Sequence, residues 1–238
     1  MAKIKRVQPR EIKFTPHINP YAKGSVLAEF GRTKVHITAT LEDSVPPWLK
    51  NKGRGWVTGE YNMLPTATHE RNRRERSKVS GRTQEIQRLI GRSLRSIVDL
   101  EKLGERSIII DCDVLVADGG TRTASISGAF VALSLVVNQL LKEGELSESP
   151  LLDSLAALSV GIDSTGDIIA DLNYEEDSSC ETDMNFVMTR SGKFIEVQGT
   201  AEGQPFSQDQ FEALISCASQ AMTHVFKAQD EVLESLSK

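Results

Sequence analysis

An α+β fold built from two related β-α halves is what this sequence predicts, and three features carry that expectation. Short strand-like runs lead into a helix with apolar residues every three or four positions, a second strand leads into an almost wholly apolar helix, and a second set of strands ends in a long amphipathic helix. No linker separates the two halves, so residues 1–238 are expected to form one domain.

The elements follow in order. SVLAEFG and TKVHITATL favour strands, the second alternating Val35, Ile37 and Ala39 with more polar neighbours. PPWLKNKGRGW and EYNMLPTATHERNRRERSKVSG are rich in Pro, Gly, Asn and Arg and lack a clean period, which predicts a long loop. From Arg82 to Asp99 the spacing of Ile86, Leu89, Ile90, Leu94, Ile97 and Val98 predicts a helix, with Ser80 and Gly81 at its start. SIIIDCDVLVAD reads as a strand ended by Gly119 and Gly120. Thr123 to Leu141 is apolar nearly all round and predicts a buried helix; Ser125, Ser127, Ser134 and Asn138 inside it argue against a membrane span. SLAALSVGID and GDIIADLN predict strands, EEDSSCET an acidic loop, and DMNFVMT through RSGK to FIEVQGTAEG a hairpin. The last helix runs roughly from Gln208 to Glu234.

With 39% hydrophobic residues in 238, the chain has the material for an ordinary packed core. Its basic start lacks an apolar segment behind it, so a soluble, cytoplasmic protein with no membrane partner is expected. Cys112, Cys180 and Cys217 are widely spaced and form no CxxC pair, which predicts reduced thiols rather than disulfides or a thiolate metal site. A net charge of -5 argues against a nucleic-acid partner, but local charge reverses the argument.

Three constellations could carry chemistry. Gly119-Gly120-Thr121-Arg122-Thr123 joins a strand to a buried helix; paired glycines turn the backbone and aim its N-H groups outward, and Arg122 adds a planar fork suited to phosphate. Alone, such a junction is more often only a turn. Between Arg71 and Arg95 stand nine cationic residues, a footprint for polyphosphate set in an acidic chain. The plain alternative is a solvated face with salt bridges, which suits Arg88, Arg92 and Arg95; the loop arginines Arg71, Arg73, Arg74 and Arg76 suit single-stranded RNA, with Tyr61 and Trp56 as either stacking surfaces or packing residues. In the acidic segment, Asp177 and Asp183 could converge on one divalent cation, although a run of acids in a loop is usually solvated surface. Asp111 and Asp113, on one face of their strand, form a weaker competing pair.

Taken together, GSVLAEFGRTKV, GEYNMLPTATHERNRRE, SGRTQEIQRLIGRSLR, CDVLVADGGTRTASISGAF, DLNYEEDSSCETDMNFVMT and FIEVQGTAEG resemble the ribonuclease PH family, and through it polynucleotide phosphorylase and the exosome ring subunits. The resemblance spans essentially the whole chain. It implies the ribosomal-protein-S5-domain-2-like fold and a phosphorolytic 3′-to-5′ exoribonuclease, or tRNA nucleotidyltransferase, acting on tRNA precursors and other RNA 3′ ends. It further implies inorganic phosphate as co-substrate, bound by Arg82, Gly120, Thr121 and Arg122, magnesium-assisted catalysis at Asp177 and Asp183, and a homohexamer arranged as a trimer of dimers. Two other classes remain open on the residues alone: a catalytically silent RNA-binding ring subunit, and a hydrolytic metal nuclease. The joint presence of Arg82, Arg122, Asp177 and Asp183 favours the phosphorolytic enzyme over both.

Overall fold

The computed structural model describes residues 3–75 and 78–236. Two five-stranded sheets form the frame. The first has the order β2 (Ile12–Pro16), β3 (Gly24–Phe30), β4 (Thr33–Glu42), β6 (Ser107–Val116), β5 (Trp56–Met63). The second has the order β1 (Ile4–Arg6), β8 (Ile168–Ala170), β7 (Leu155–Ile162), β9 (Thr182–Thr189), β10 (Phe194–Ala201). Pairing is antiparallel except for β5 with β6 and β1 with β8.

Among the described residues five α-helices complete it: α1 (Gly81–Arg95), α2 (Leu100–Leu103), α3 (Thr121–Lys142), α4 (Tyr174–Ser179) and α5 (Gln208–Ser235). Helix α3 packs on β3, β4 and β6 of one sheet and on β7 of the other, so a single core helix is shared by both halves. That position explains its composition: it is the one helix among the described residues long and apolar enough to cross a membrane, and its apolar stretch is 83% buried inside the protein. Helix α1 buries Ile86, Leu89, Ile90 and Leu94 against β5, and α5 packs on β7, β8 and β2.

The two-halved α+β expectation therefore holds, with three corrections. The long loop expected before α1 contains β5, in which Val57, Gly59 and Tyr61 are buried and alternate with more exposed residues. The alternation is masked by the Gly- and Lys-rich stretch before it. The acidic loop is a short helix, α4, started by a capping box between Asn173 and Glu176. Helix α1 ends at Arg95 rather than Asp99, because Val98 leaves it to bridge Leu151. Strand β1, too short to show a period, carries the N-terminal residues across to the second sheet.

Close approach of α3 to the first sheet depends on Gly24 in β3, where an added Cβ would lie 2.2 Å from the Ala132 carbonyl oxygen. Backbone must move to admit it. Gly24→Ala is therefore expected to destabilise the fold by about 1–3 kcal/mol through overpacking, read as a lowered urea midpoint with an unchanged slope.

Candidate active site

The junction between β6 and α3 is a loop with two consecutive left-handed glycines, Gly119 at φ 74° and Gly120 at φ 63°. Gly120 is the N-cap of α3 and gives it no side-chain cap, whereas Ser80, Asp99, Asn173 and Ser207 cap the four other α-helices. The first amides of α3 thus keep their capacity for an external acceptor, with the partial positive charge of a 22-residue helix behind them. Thr33 holds the loop from below: its hydroxyl donates to the Gly119 carbonyl at 2.6 Å and accepts from the Asp118 N-H at 2.9 Å. The threonines are more committed than their sequence suggests. Thr123 donates to the Gly120 carbonyl at 2.9 Å, and the Thr121 hydroxyl shares a 2.9 Å hydrogen bond with buried Tyr61.

Against this loop lies the segment that starts α4. A Cβ on Gly119 would meet the Leu172 carbonyl oxygen at 2.3 Å, so only glycine permits the contact. Arg10 fixes it. Its Nε and Nη2 donate to the two oxygens of Asp171 at 2.9 and 2.8 Å, its backbone N-H adds a third bond at 2.9 Å, and its Nη1 donates to the Asp118 carbonyl. Arg6 makes a second fork, to both oxygens of Glu176 at 2.7 Å, and also donates to the Ala170 and Asp171 carbonyls. Together the two arginines hold the acidic helix against the glycine loop.

This packing brings four of the sequence-predicted residues into mutual range. Desolvation and the Asp183 charge push the Asp177 carboxyl above the usual aspartate value, while Arg122, Arg82 and Arg10 pull it back. Asp183 is raised in the same way, by desolvation and then by Glu202, with Arg122 opposing. Asp177 thus senses the Asp183 charge, and both carboxyls sense Arg122, so acidic and basic side chains share one centre. The pair fits a magnesium ion, which needs one or two carboxylate oxygens and takes its remaining ligands from phosphate and water; among the described residues no group of three or more acidic, His or Cys side chains is placed to hold a metal unaided.

Arg122 is 15% exposed and engages through Nη1 alone, with the Gln198 amide oxygen of β10 and, at 3.4 Å, with Glu85 of α1. Arg82, in the first turn of α1, makes no hydrogen bond or ion pair among the described residues, so its guanidinium is uncommitted. Arg71, Arg73 and Arg74 are exposed in a loop pinned by Asn72, which bonds the Pro65 carbonyl and the Thr68 hydroxyl; Arg76 lies outside the described residues. Trp56 and Tyr61 are packing residues: Tyr61 is buried, and Trp56 stacks edge-on to Trp48 and carries the Arg95 guanidinium 4.2 Å from its ring centre. Arg92 pairs with Glu196 at 2.6 Å. Asp111 and Asp113 face an acidic cleft of about 210 Å³ shared with Glu60 and Glu75, lined by none of Arg82, Arg122, Asp177 and Asp183.

Sequence reading missed Arg6, Arg10, Asp171, Glu85 and Gln198. Each is an isolated polar residue whose partner lies far along the chain, and only the Asn173-x-x-Glu176 capping pattern was readable locally.

The chain thus has a two-sheet α+β architecture around a shared core helix, with arginines and two carboxylates gathered near the N-terminus of that helix. The sequence matches the 3′ exoribonuclease family, domain 1 over residues 8–137 and domain 2 over residues 153–221. The chain belongs to this family, that of ribonuclease PH. It is 56% identical over 228 residues to ribonuclease PH of Neisseria meningitidis, covering 95% of this chain and 94% of that protein. To ribonuclease PH of Bdellovibrio bacteriovorus it is 54% identical over 231 residues, covering 97% and 95%. In fold it is similar to rice Rrp46 (TM-score 0.78, 16% identity, 96% and 97% covered) and to the Archaeoglobus fulgidus exosome with RNA bound to its active site (TM-score 0.72, 20% identity, 98% and 90% covered).

The raised Asp177 value makes a stability prediction. The ionised form is penalised in the folded state above the folded-state pKa, and the penalty vanishes once pH falls below the ordinary aspartate value, where folded and unfolded chains are both protonated. In magnesium-free buffer, Asp177→Asn should raise the melting temperature at neutral pH and lose that advantage on acidification. Solvent screening keeps the gain below about 1 kcal/mol, or roughly 2–4 °C. A melting series from about pH 7 down to about pH 3 reads it, and a gain that persists undiminished at the acid end contradicts the upward shift that burial, and then Asp183, impose on Asp177.

Proposed function

We propose that this chain is a phosphate-dependent 3′-to-5′ exoribonuclease that trims tRNA precursors and releases nucleoside diphosphates. The observation that carries the reading is the meeting of Arg82, Arg122 and the uncapped start of α3 with the Asp177 and Asp183 pair. Gly120, Thr121 and Arg122 bind inorganic phosphate through backbone N-H groups and a guanidinium fork, and Arg82 adds a second positive charge. Phosphate is already an anion at neutral pH, so it attacks without a general base. The difficulty is repulsion between that anion and the RNA phosphodiester. The two arginines screen it and hold the phosphate in line behind the terminal phosphorus, so the P-O bond to the 3′-oxygen of the shortened RNA breaks as the new P-O bond forms.

Asp177 and Asp183 are the residues that would hold magnesium, whose contribution when bound is charge neutralisation beside the RNA phosphate. Arg71, Arg73, Arg74 and Arg76 contact the body of the RNA. The two halves act as a single domain over residues 1–238, supported by the helix they share, and six copies assemble as a trimer of dimers. The cysteines are free and buried, in keeping with work in the cytoplasm.

Incubating a tRNA precursor with and without inorganic phosphate tests the core of this reading. Shortening should require phosphate and yield diphosphates, and Arg82→Ala and Arg122→Ala should each weaken phosphate use by about 1.5–3 kcal/mol, roughly ten- to a hundredfold. Equal rates without phosphate, with monophosphate products, would indicate hydrolysis.

A separate measurement concerns the arginine loop. Changing Arg71, Arg73, Arg74 and Arg76 to alanine should flatten the salt dependence of tRNA-precursor binding by about 0.7 log units per log of salt for each lost contact, with cleavage of a very short oligonucleotide nearly retained. An unchanged salt slope would assign the loop to another task.

A further inference from the structure

Arg122 is held from two sides by residues outside the phosphate-binding set. Gln198, in β10, accepts from Arg122 Nη1 through its amide oxygen, and Gln198 Nε2 donates to Glu85 Oε1 at 3.3 Å. Glu85 Oε1 also lies 3.4 Å from the same Nη1, closing a triangle between α1, α3 and β10. Register places Gln198 opposite Asn185 and Thr200 opposite Asp183, so Gln198 stands on the same face of the β9-β10 hairpin as Asp183, one diagonal step away. The Nε and Nη2 donors of Arg122 have no partner among the described residues and are left for another acceptor.

These two contacts act in opposite directions. A neutral amide oxygen on Nη1 costs Arg122 no charge and removes rotamer freedom from a long side chain, which favours binding through its remaining donors. A carboxylate at 3.4 Å instead offsets part of the positive charge that draws an anion in. We propose that Gln198 is a positioning residue that aims Arg122 at inorganic phosphate, and that Glu85 is a competing anion that sets how tightly phosphate is held. The proposal rests on the assignment of Arg122 to the phosphate pocket. Functionally, the triangle sets the phosphate concentration at which trimming reaches half its full rate, whereas the phosphate-to-diphosphate ratio at which net trimming turns to net addition belongs to the reaction equilibrium and is the same in every variant.

Steady-state kinetics on the full-length protein tests this, with KM for phosphate, KM for RNA and kcat measured separately. Gln198→Ala should raise the phosphate KM about tenfold or more, as expected for losing a hydrogen bond to a charged group, and leave the RNA KM where it was. Gln198→Glu, which keeps the length of the side chain and guards against misfolding, should raise it further by adding a second carboxylate. Glu85→Gln should lower the phosphate KM by about two- to fivefold, the scale of a partly exposed ion pair. A purely structural role gives no such gain. Arg122→Ala is the control for the underlying assignment: if it leaves the phosphate KM unchanged, the phosphate pocket itself is wrong. If Arg122→Ala raises the phosphate KM while Glu85→Gln fails to lower it, or Gln198→Ala fails to raise it, the pocket stands and this inference is overturned.

Discussion

The buried ion pair between Arg10 and Asp171 is the constraint on which the site depends. Asp171 is fully buried and adopts a left-handed φ of 56°, a conformation that a non-glycine residue holds only when its surroundings enforce it. Three N-H donors from Arg10, one of them its backbone amide, satisfy the carboxylate, and the remaining guanidinium nitrogen, Nη1, reaches the Asp118 carbonyl in the glycine loop. One residue from the N-terminal segment thereby fixes two segments from different halves. A charge withdrawn from water this completely is stable only with its partner in place; removing one member of such a pair costs about 3–5 kcal/mol.

From that point the geometry follows stepwise. Asp171 sets the path of Leu172 and Asn173, Asn173 starts α4, and the first turn of α4 presents Asp177 toward the start of α3. The short helix is too small to be stable alone and has no buried residues of its own. It is held by its capping box and by the Arg6 fork on Glu176. In a chain with a net charge of -5, Asp171 and Glu176 beside the glycine loop are neutralised by Arg10 and Arg6, and Asp118 in the loop lies 4.0 Å from Arg32, while Arg82 and the outer donors of Arg122 stay uncommitted among the described residues.

The parts of the fold that were readable in the sequence are those with a local signal. Helix α1 announces itself by its apolar spacing and by Ser80, whose hydroxyl accepts from the Thr83 N-H at 3.2 Å; β4 and β6 announce themselves by alternation, and the paired glycines by their chemistry. Arg82, Arg122, Asp177 and Asp183 stood in recognisable motifs, and the fold brings them together. Strand β5 was hidden because the Gly- and Lys-rich stretch before it and Gly59 within it blur its alternation, and α4 because Tyr174 and the five polar residues after it carry no period. The clamp and the triangle around Arg122 were hidden for a different reason. Arg10 and Asp171 are 161 residues apart, and Gln198 and Glu85 are 113 apart, so neither pairing leaves a trace in any window of sequence.

The same long separations govern the order in which activity can arise during synthesis. Strand β1 leaves the ribosome first, yet its ladder partner β8 and the acceptors of Arg6 and Arg10 lie in residues 168–176. A nascent chain can shape the first sheet and much of the glycine loop early, but its carboxylates have not yet been made. Contacts of such high sequence separation also form slowly once the chain is complete. The fold therefore contains its own delay: a truncated or still-emerging polypeptide carries the glycine loop and the start of α3 without the acidic residues that face them, and the proposed site is complete only after the last half of the protein has closed on the first.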